Sequence, residues 1–561
     1  MRQNNGKNKI GVFEGIAYCI GDIIGSGLIK ILNLRNYSEY LFLTYIQGDK
    51  ELFYIVTLLH PRTKVQPIFL STVSKWKPRL GLPLRETKRF LKCPLRLSNL
   101  SPSLDGIFIS PTSILRHTGS VGLSLCVWAV GALIAACGAL VYVELGTSIG
   151  KSGGDFAYLS HAKWHPLATA FLWVSTTLTF PVIMAIQTLT FGEYLVDGLN
   201  AFILINSEYV GILKRLIGFM TIWLVCFMNL FSLKKIAGRF QVALTIIKLL
   251  VIATIIFIGL YQLVFKNKTE ETFVNAFEGS KTEPGDFVLA LYASLLAYNG
   301  WDILNFATDE VENPRRVLPL AALCGIGISA VVYLLINIAY FSVLTIDEFL
   351  NTEAVAFKFA EKTMGDFSRI FPFLIAILLL GNLNSSIFAS SRYVFAGAKN
   401  GIMPRVLSSV HEKSMSPRVA IIYEMFVLIS LSFIGDLEHL IGYMSYSLWM
   451  QKSCTMVALL YMRHKGTFKF QKNSIKTPII LPFICLCIFI SMLIISARKD
   501  PFIIIYALTM LAIGLILYFI FINPKRKSKS VFCGECFEKV NDLSVFFAQI
   551  VFNTTVPSKE E

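Results

Sequence analysis

A chain of 561 residues that is 54% hydrophobic, with a mean hydropathy of +0.61, carries more apolar side chains than a soluble multidomain protein of that length would. Its formal charge of +16 would suit a nucleic-acid binder, but the basic residues cluster between apolar runs, where they set membrane topology instead. What remains is a polytopic membrane protein.

Runs near the ~20 residues needed to cross hydrocarbon recur twelve times, at 10–27, 121–145, 167–190, 216–232, 242–265, 287–308, 317–345, 371–397, 418–434, 439–462, 478–496 and 501–522. The expected fold is therefore all-α with twelve transmembrane helices. The opening MRQNNGKNKI is polar and no small-residue cleavage site follows, so no removable signal peptide is read there; residues 1–9 are assigned as a cytoplasmic N-terminus. Basic clusters at Lys234, Lys235 and Arg239, at Lys399, Arg405, Lys413 and Arg418, at Arg463 to Lys476, and at Lys525 to Lys529 occupy alternate loops. Most acids lie in the others, so both termini are expected inside. The sequon Asn267, Lys268, Thr269 falls in an expected outer loop.

The first span, IGVFEGIAYCIGDIIGSG, ends in Gly25, Ser26, Gly27, a flexible polar tripeptide that should interrupt a helix in mid-membrane. Residues 28–105 then form a basic, mostly unperiodic stretch with 13 Lys or Arg against 5 Asp or Glu, which no bilayer core accepts. Excising Leu28 to Gly106 gives GDIIGSGIFISP, a smooth continuation. The insertion is read as translated intron or a mis-joined reading frame, or else as a lineage-specific loop. From Gly119 small residues, among them Gly131, Ala135, Gly138 and Gly146, allow close helix approach. GKS at 150–152 is not a phosphate-binding loop, because Leu145 stands where the first glycine belongs. His161 and His165 read as surface residues.

Lys248 lies in TIIKLLVIATIIF with no acid within a helical turn. Either it faces a partner, cavity or carbonyl cluster, or it snorkels to the membrane edge. The stretch FVLALYASLLAYNGWDILNFATDEVENPRRVLPL, Phe287 to Leu320, organises the rest. It breaks at Asn299 and Gly300, beside Trp301 and Asp302, at the depth where a span should continue. Freed backbone groups cost several kcal/mol each in hydrocarbon, so such a break either lines a site or is a glycine kink packed on a neighbour. A half-helix ending in bare carbonyls and another beginning with bare amides would suit a small zwitterion. GNLNSS at 381–386 would bond across the bundle or face that site, and Lys452 is a second buried cation. The eleven cysteines suggest no disulfide framework, and Cys533 and Cys536 read as incidental spacing. Residues 523–561 read as a cytoplasmic tail, disordered or surface-lying.

GSG with IFISP, TGSVGLSLCVWAVGALIAACGALVYVELGTSIGKSGGDFAYL, LAYNGWDILNFATDEVENPRRVLPL and SSRYVFAGAKNGIMP, in this order, resemble the light subunits of heteromeric amino acid transporters. These are L-type carriers of the amino acid, polyamine and organocation superfamily. The resemblance covers about 10–522 without the insertion. It implies a permease domain over 10–27 and 106–522, and a LeuT-like fold of two five-helix inverted repeats with helices one and six broken at the site. It further implies sodium-independent exchange of neutral, or of neutral and cationic, L-amino acids at the plasma membrane; an ion-coupled amino acid or polyamine symporter, or an amino-acid-sensing receptor, is the alternative. Transferred by position, the break at Ile24, Gly25, Ser26 and Gly27 would supply amides for the substrate carboxylate. Carbonyls near Leu296, Ala297 and Asn299 would take the ammonium, with Gly300, Trp301 and Asp302 beside them. Leu296 replaces an aromatic gate. Lys248 matches a lysine thought to stand in for sodium. Asp302, where the family often has Asn, resembles carriers that also take cationic amino acids. Residues 197–211 lack the cysteine that would tie a heavy-chain glycoprotein, which argues against a covalent partner and leaves a non-covalent one open. No cofactor, metal or enzymatic constellation is read.

Overall fold

The structure, a computed structural model, describes residues 9–26, 40–47, 52–59, 110–203, 205–231, 236–265, 273–352, 355–433, 437–466, 474–499, 501–522 and 531–556. The chain separates into two units, 31–102 and the remainder. In the smaller unit, β1 (Tyr40–Gln47) and β2 (Leu52–Leu59) form an antiparallel hairpin running from Tyr40 opposite Leu59 to Gln47 opposite Leu52. Outside this hairpin and the short pairing of Val410–His411 with Thr554–Thr555, the described residues follow the all-α expectation. YLFLTYIQ and LFYIVTLL are rich in aromatic and β-branched residues on either side of Gly48 to Glu51, a strand-turn-strand signal.

The larger unit is helical. α1 is Val12–Ser26, α2 Ser110–Thr118, α3 Val121–Ile149 and α4 Gly154–His161. α5 (His165–Val174) passes through a π-turn, Ser175–Thr179, into α6 (Phe180–Asn200). α7 is Ser207–Asn229, α8 Gly238–Phe265, α9 Pro284–Ala297 and α10 Pro314–Phe341. Two short helices, α11 (Ile346–Asn351) and α12 (Val355–Met364), precede α13 (Phe371–Lys399). α14 is Arg418–Ser432, α15 Leu437–His464, α16 Ile480–Lys499 and α17 Pro501–Leu517. Among the described residues eight helical segments are long and apolar enough to cross a membrane alone.

The shortfall from twelve has a geometric cause at two spans. α1 and α9, of 15 and 14 residues, reach only ~22 Å at 1.5 Å per residue, too short for a ~30 Å core. α9 is the first half of an interrupted span, and α1 ends where the described residues end. α3 shows why boundaries fall where they do: Ser120 caps its start by accepting from Leu123 N–H, and left-handed Gly150 ends it. α1, α3 and α10 pack together, with α9 against α3; α6, α7, α13 and α14 form a second group, and α1 and α8 touch both α10 and α13. Each group draws on both halves of the chain, as an inverted repeat does.

The tail departs from the disordered option. α18 (Val531–Phe552) lies against the 405–408 turn, and β4 (Thr554–Thr555) pairs with β3 (Val410–His411). Arg418 Nη1 donates to Phe552 O at 2.8 Å.

Candidate functional site

The interruption of the sixth span lies where the residues placed it. α9 stops at Ala297, residues 298–302 turn, and a 3-10 helix covers Ile303–Glu310. Gly300 has φ +116°, a conformation that only glycine adopts without strain. A β-carbon there would also stand 2.7 Å from Asp22 Oδ2, so the backbone of the break and a carboxylate on α1 are in direct apposition. Trp301, 2% exposed, lies against Gly138 of α3, where a β-carbon would come within 3.3 Å of its ring.

Carbonyls of α1 and α9 converge here, though not bare as expected. Tyr333 of α10 donates its hydroxyl to Ile23 O at 2.9 Å and to Ala297 O at 3.0 Å. One hydroxyl thus links α1 to the end of α9 at the interruption of the sixth span. Leu296 O accepts Asn299 N–H at 3.2 Å, and downstream Ile303 and Asn305 N–H donate to Gly300 O and Asp302 O. The break thus turns its own backbone inward, because a buried amide or carbonyl without a partner is more costly than a tight turn.

Lys248 is fully buried and donates to Gly21 O at 3.0 Å, so it faces helix one rather than the membrane edge. Thr245 Oγ1 and Gln241 Nε2, from the same helix, reach Ala17 O at 3.1 and 3.5 Å. Lys452 of α15 forms a buried ion pair with Asp302, and its ammonium stands 5.1 Å from the Trp301 ring centre and 4.9 Å from that of Tyr142. Next to it, Gln451 bonds Asp155, Tyr393 and Ser175, while Asp155 also accepts from Tyr142 at 2.5 Å and Thr455 at 2.8 Å. Tyr158 donates to Asn305 Oδ1 at 2.7 Å.

GNLNSS turns out to bond across the bundle. Asn384 donates to Gln241 and accepts from Asn229, both at 2.7 Å, and Ser385 and Ser386 accept from Gln241 and Gln187. At the end of helix one that carries the N-terminus, Ile10 bridges Val311, and Arg392 forks onto Glu310 at 3.0 and 3.2 Å.

Of the residues singled out in the sequence, Ile24, Leu296, Ala297, Gly300, Trp301 and Asp302 are buried around the break, with Asn299 partly so. Gly25 and Ser26 lie in the last turn of α1; their side chains, and Gly27 altogether, fall outside the described residues. His161 and His165 are exposed. The sequence reading passed over Asp22 and Asp155, although an acid within or beside an apolar run is a recognisable signal. Tyr333 carried none: it is one of 21 tyrosines, and only packing reveals its acceptors.

The family described as amino acid permease matches residues 100–526. The chain is 40% identical over 454 residues to amino acid transporter protein 6 of Caenorhabditis elegans, covering 81% of this chain and 86% of that protein. It is 34% identical over 426 residues to the human cystine/glutamate transporter, with 76% and 83% covered. It is 35% identical over 421 residues to the rat b(0,+)-type amino acid transporter 1, with 75% and 85% covered.

Proposed function

The chain belongs to the amino acid permease family, and from that premise we propose that it exchanges L-amino acids across the plasma membrane without sodium, by alternating access. That it is a multi-pass membrane protein that transports amino acids follows from the family; the exchange mode, the membrane and the residues in contact with substrate are our reading. One observation supports it: α1 and the interrupted sixth span meet, with Ile23 O and Ala297 O both accepting from the Tyr333 hydroxyl. An α-ammonium carries three donors for acceptors at such a place. The amides of the Gly25 to Gly27 segment would take the carboxylate.

In this scheme the polar main-chain groups around the break cross a desolvated intermediate slowly when no substrate accompanies them. A bound amino acid pairs them and lowers the barrier, so one substrate leaves as another enters. Lys248, held on Gly21 O, occupies the place where a coupled carrier would need sodium. Both termini face the cytoplasm on the charge pattern of the loops. Any heavy-chain partner would bind without a disulfide from residues 197–211, which contain no cysteine.

The domain boundaries belong to the same proposal: 10–27 and 106–522 transport, and 28–105 is dispensable. The test is labelled amino acid uptake and efflux in proteoliposomes, with the full chain beside one lacking residues 28–106. Efflux stimulated by external amino acid, equal with and without sodium, is expected. Uptake that requires sodium or a pH gradient would replace exchange by symport, and binding without flux would indicate a sensor.

A further inference from the structure

The ammonium of Lys452 is a charge for which the exchange scheme above has no use, and it is buried at some cost. It pairs with Asp302, two residues beyond Gly300 in the break; the two are 2% and 6% exposed. The faces of Trp301 and Tyr142 add attraction for the cation. Gln451 fixes this turn of α15 by its bonds to Ser175, Asp155 and Tyr393, so the lysine has a supported position. Asp155 is served instead by hydroxyl and amide donors from Tyr142, Thr455 and Gln451. Asp22, across the break, lies within electrostatic reach of Asp302, Lys248 and Lys452.

We propose that Lys452 determines the charge selectivity of the site: it is a built-in cation that occupies the Asp302 carboxylate, so the carrier accepts amino acids with neutral side chains and turns away cationic ones. The inference rests on the reading of the chain as an amino acid carrier. A cationic side chain entering beside Asp302 would find its counter-charge already paired and a like charge at close range, which a low-dielectric site penalises heavily. Removing the lysine alone would leave a buried carboxylate that recruits a cation; removing both charges would abolish that demand.

The experiment uses the purified full chain in proteoliposomes, with leucine, lysine and glutamate as probes. For the unsubstituted chain, unlabelled lysine should compete with labelled leucine at least roughly tenfold less effectively than unlabelled leucine does. In Lys452→Met the ratio of lysine to leucine uptake should rise by roughly tenfold or more, and in the Asp302→Asn, Lys452→Met double variant it should fall back. Asp302→Asn alone, which leaves the lysine unmatched, should gain glutamate uptake. Equal competition by lysine and leucine in the unsubstituted chain overturns the inference, as does an assembled Lys452→Met protein with its ratio unmoved. A double variant that keeps the raised ratio also overturns it. If Lys452→Met does not assemble, the unsubstituted competition and the Asp302→Asn arm decide, and no gain of glutamate uptake counts against it. Failure of the unsubstituted chain to move any amino acid would instead sink the carrier reading itself.

Discussion

At the scale of the residue, two positions decide whether the break can exist. Gly300 combines a left-handed φ with 2.7 Å of clearance to Asp22 from any β-carbon. A valine is penalised twice, by backbone strain and by collision with a carboxylate that has its own electrostatic partners. Gly300→Val is expected to abolish exchange while the protein still reaches the membrane; normal uptake at normal abundance would remove the break from the site. Tyr333→Phe deletes the hydroxyl that donates to two carbonyls, at an expected cost of about 0.5–1.5 kcal/mol. Lowered thermal stability in detergent, partly restored by a bound amino acid, is the expected result, since the ligand's ammonium would replace the lost donor.

At the scale of the element, the C-terminal helix shows how an apparently featureless tail acquires structure. α18 presents Val540, Leu543, Phe547, Ile550 and Val551 outward, a stripe at helical spacing suited to the membrane interface. Its end is tied down by the β3–β4 pair and by Arg418 on Phe552 O. His411 of β3 pairs with Thr554 of β4, with Nδ1 2.9 Å from Ser414 Oγ. Burial, reinforced by Arg418 and Lys413, holds its imidazole below the ordinary 6.5. A histidine with a depressed folded pKa binds more protons when undocked, so docking is at full strength above pH 6.5 and weakens as pH falls below it. Limited proteolysis after Lys529 should therefore be faster at acid pH, and His411→Gln should flatten that dependence. Cleavage rates that do not change with pH would show that the tail is held independently of this residue.

At the scale of the whole molecule, the same end of the bundle is latched twice, by the Ile10–Val311 bridge and by the fork of Arg392 on Glu310. Arg392 is 2% exposed and also lies 4.5 Å over the Phe388 ring. In the proposed alternating-access cycle this end opens, so the latch must be breakable yet strong enough to hold one state. Arg392→Met leaves Glu310 without its partner, a loss toward the lower end of about 3–5 kcal/mol because the glutamate is only partly buried. Faster thiol labelling of Cys19, buried on α1, and slower net exchange are expected. Unchanged labelling would place the gate elsewhere.

What the sequence determined by itself was periodicity and its interruption. Long apolar runs marked the membrane-crossing stretches, because the bilayer fixes their length, and Asn299–Gly300 marked a break because those residues disfavour a continuous helix in lipid. It also flagged Lys248, Asp302 and Lys452, since a charge in an apolar run is expensive wherever it points. What it could not supply was pairing. That Lys452 belongs to Asp302, that Tyr333 joins α1 to the interrupted sixth span, that Asp22 faces Gly300 and that α18 docks on a loop more than a hundred residues earlier are facts of long-range packing. Side-chain direction and helix adjacency, rather than composition, decide which buried group becomes the partner of which.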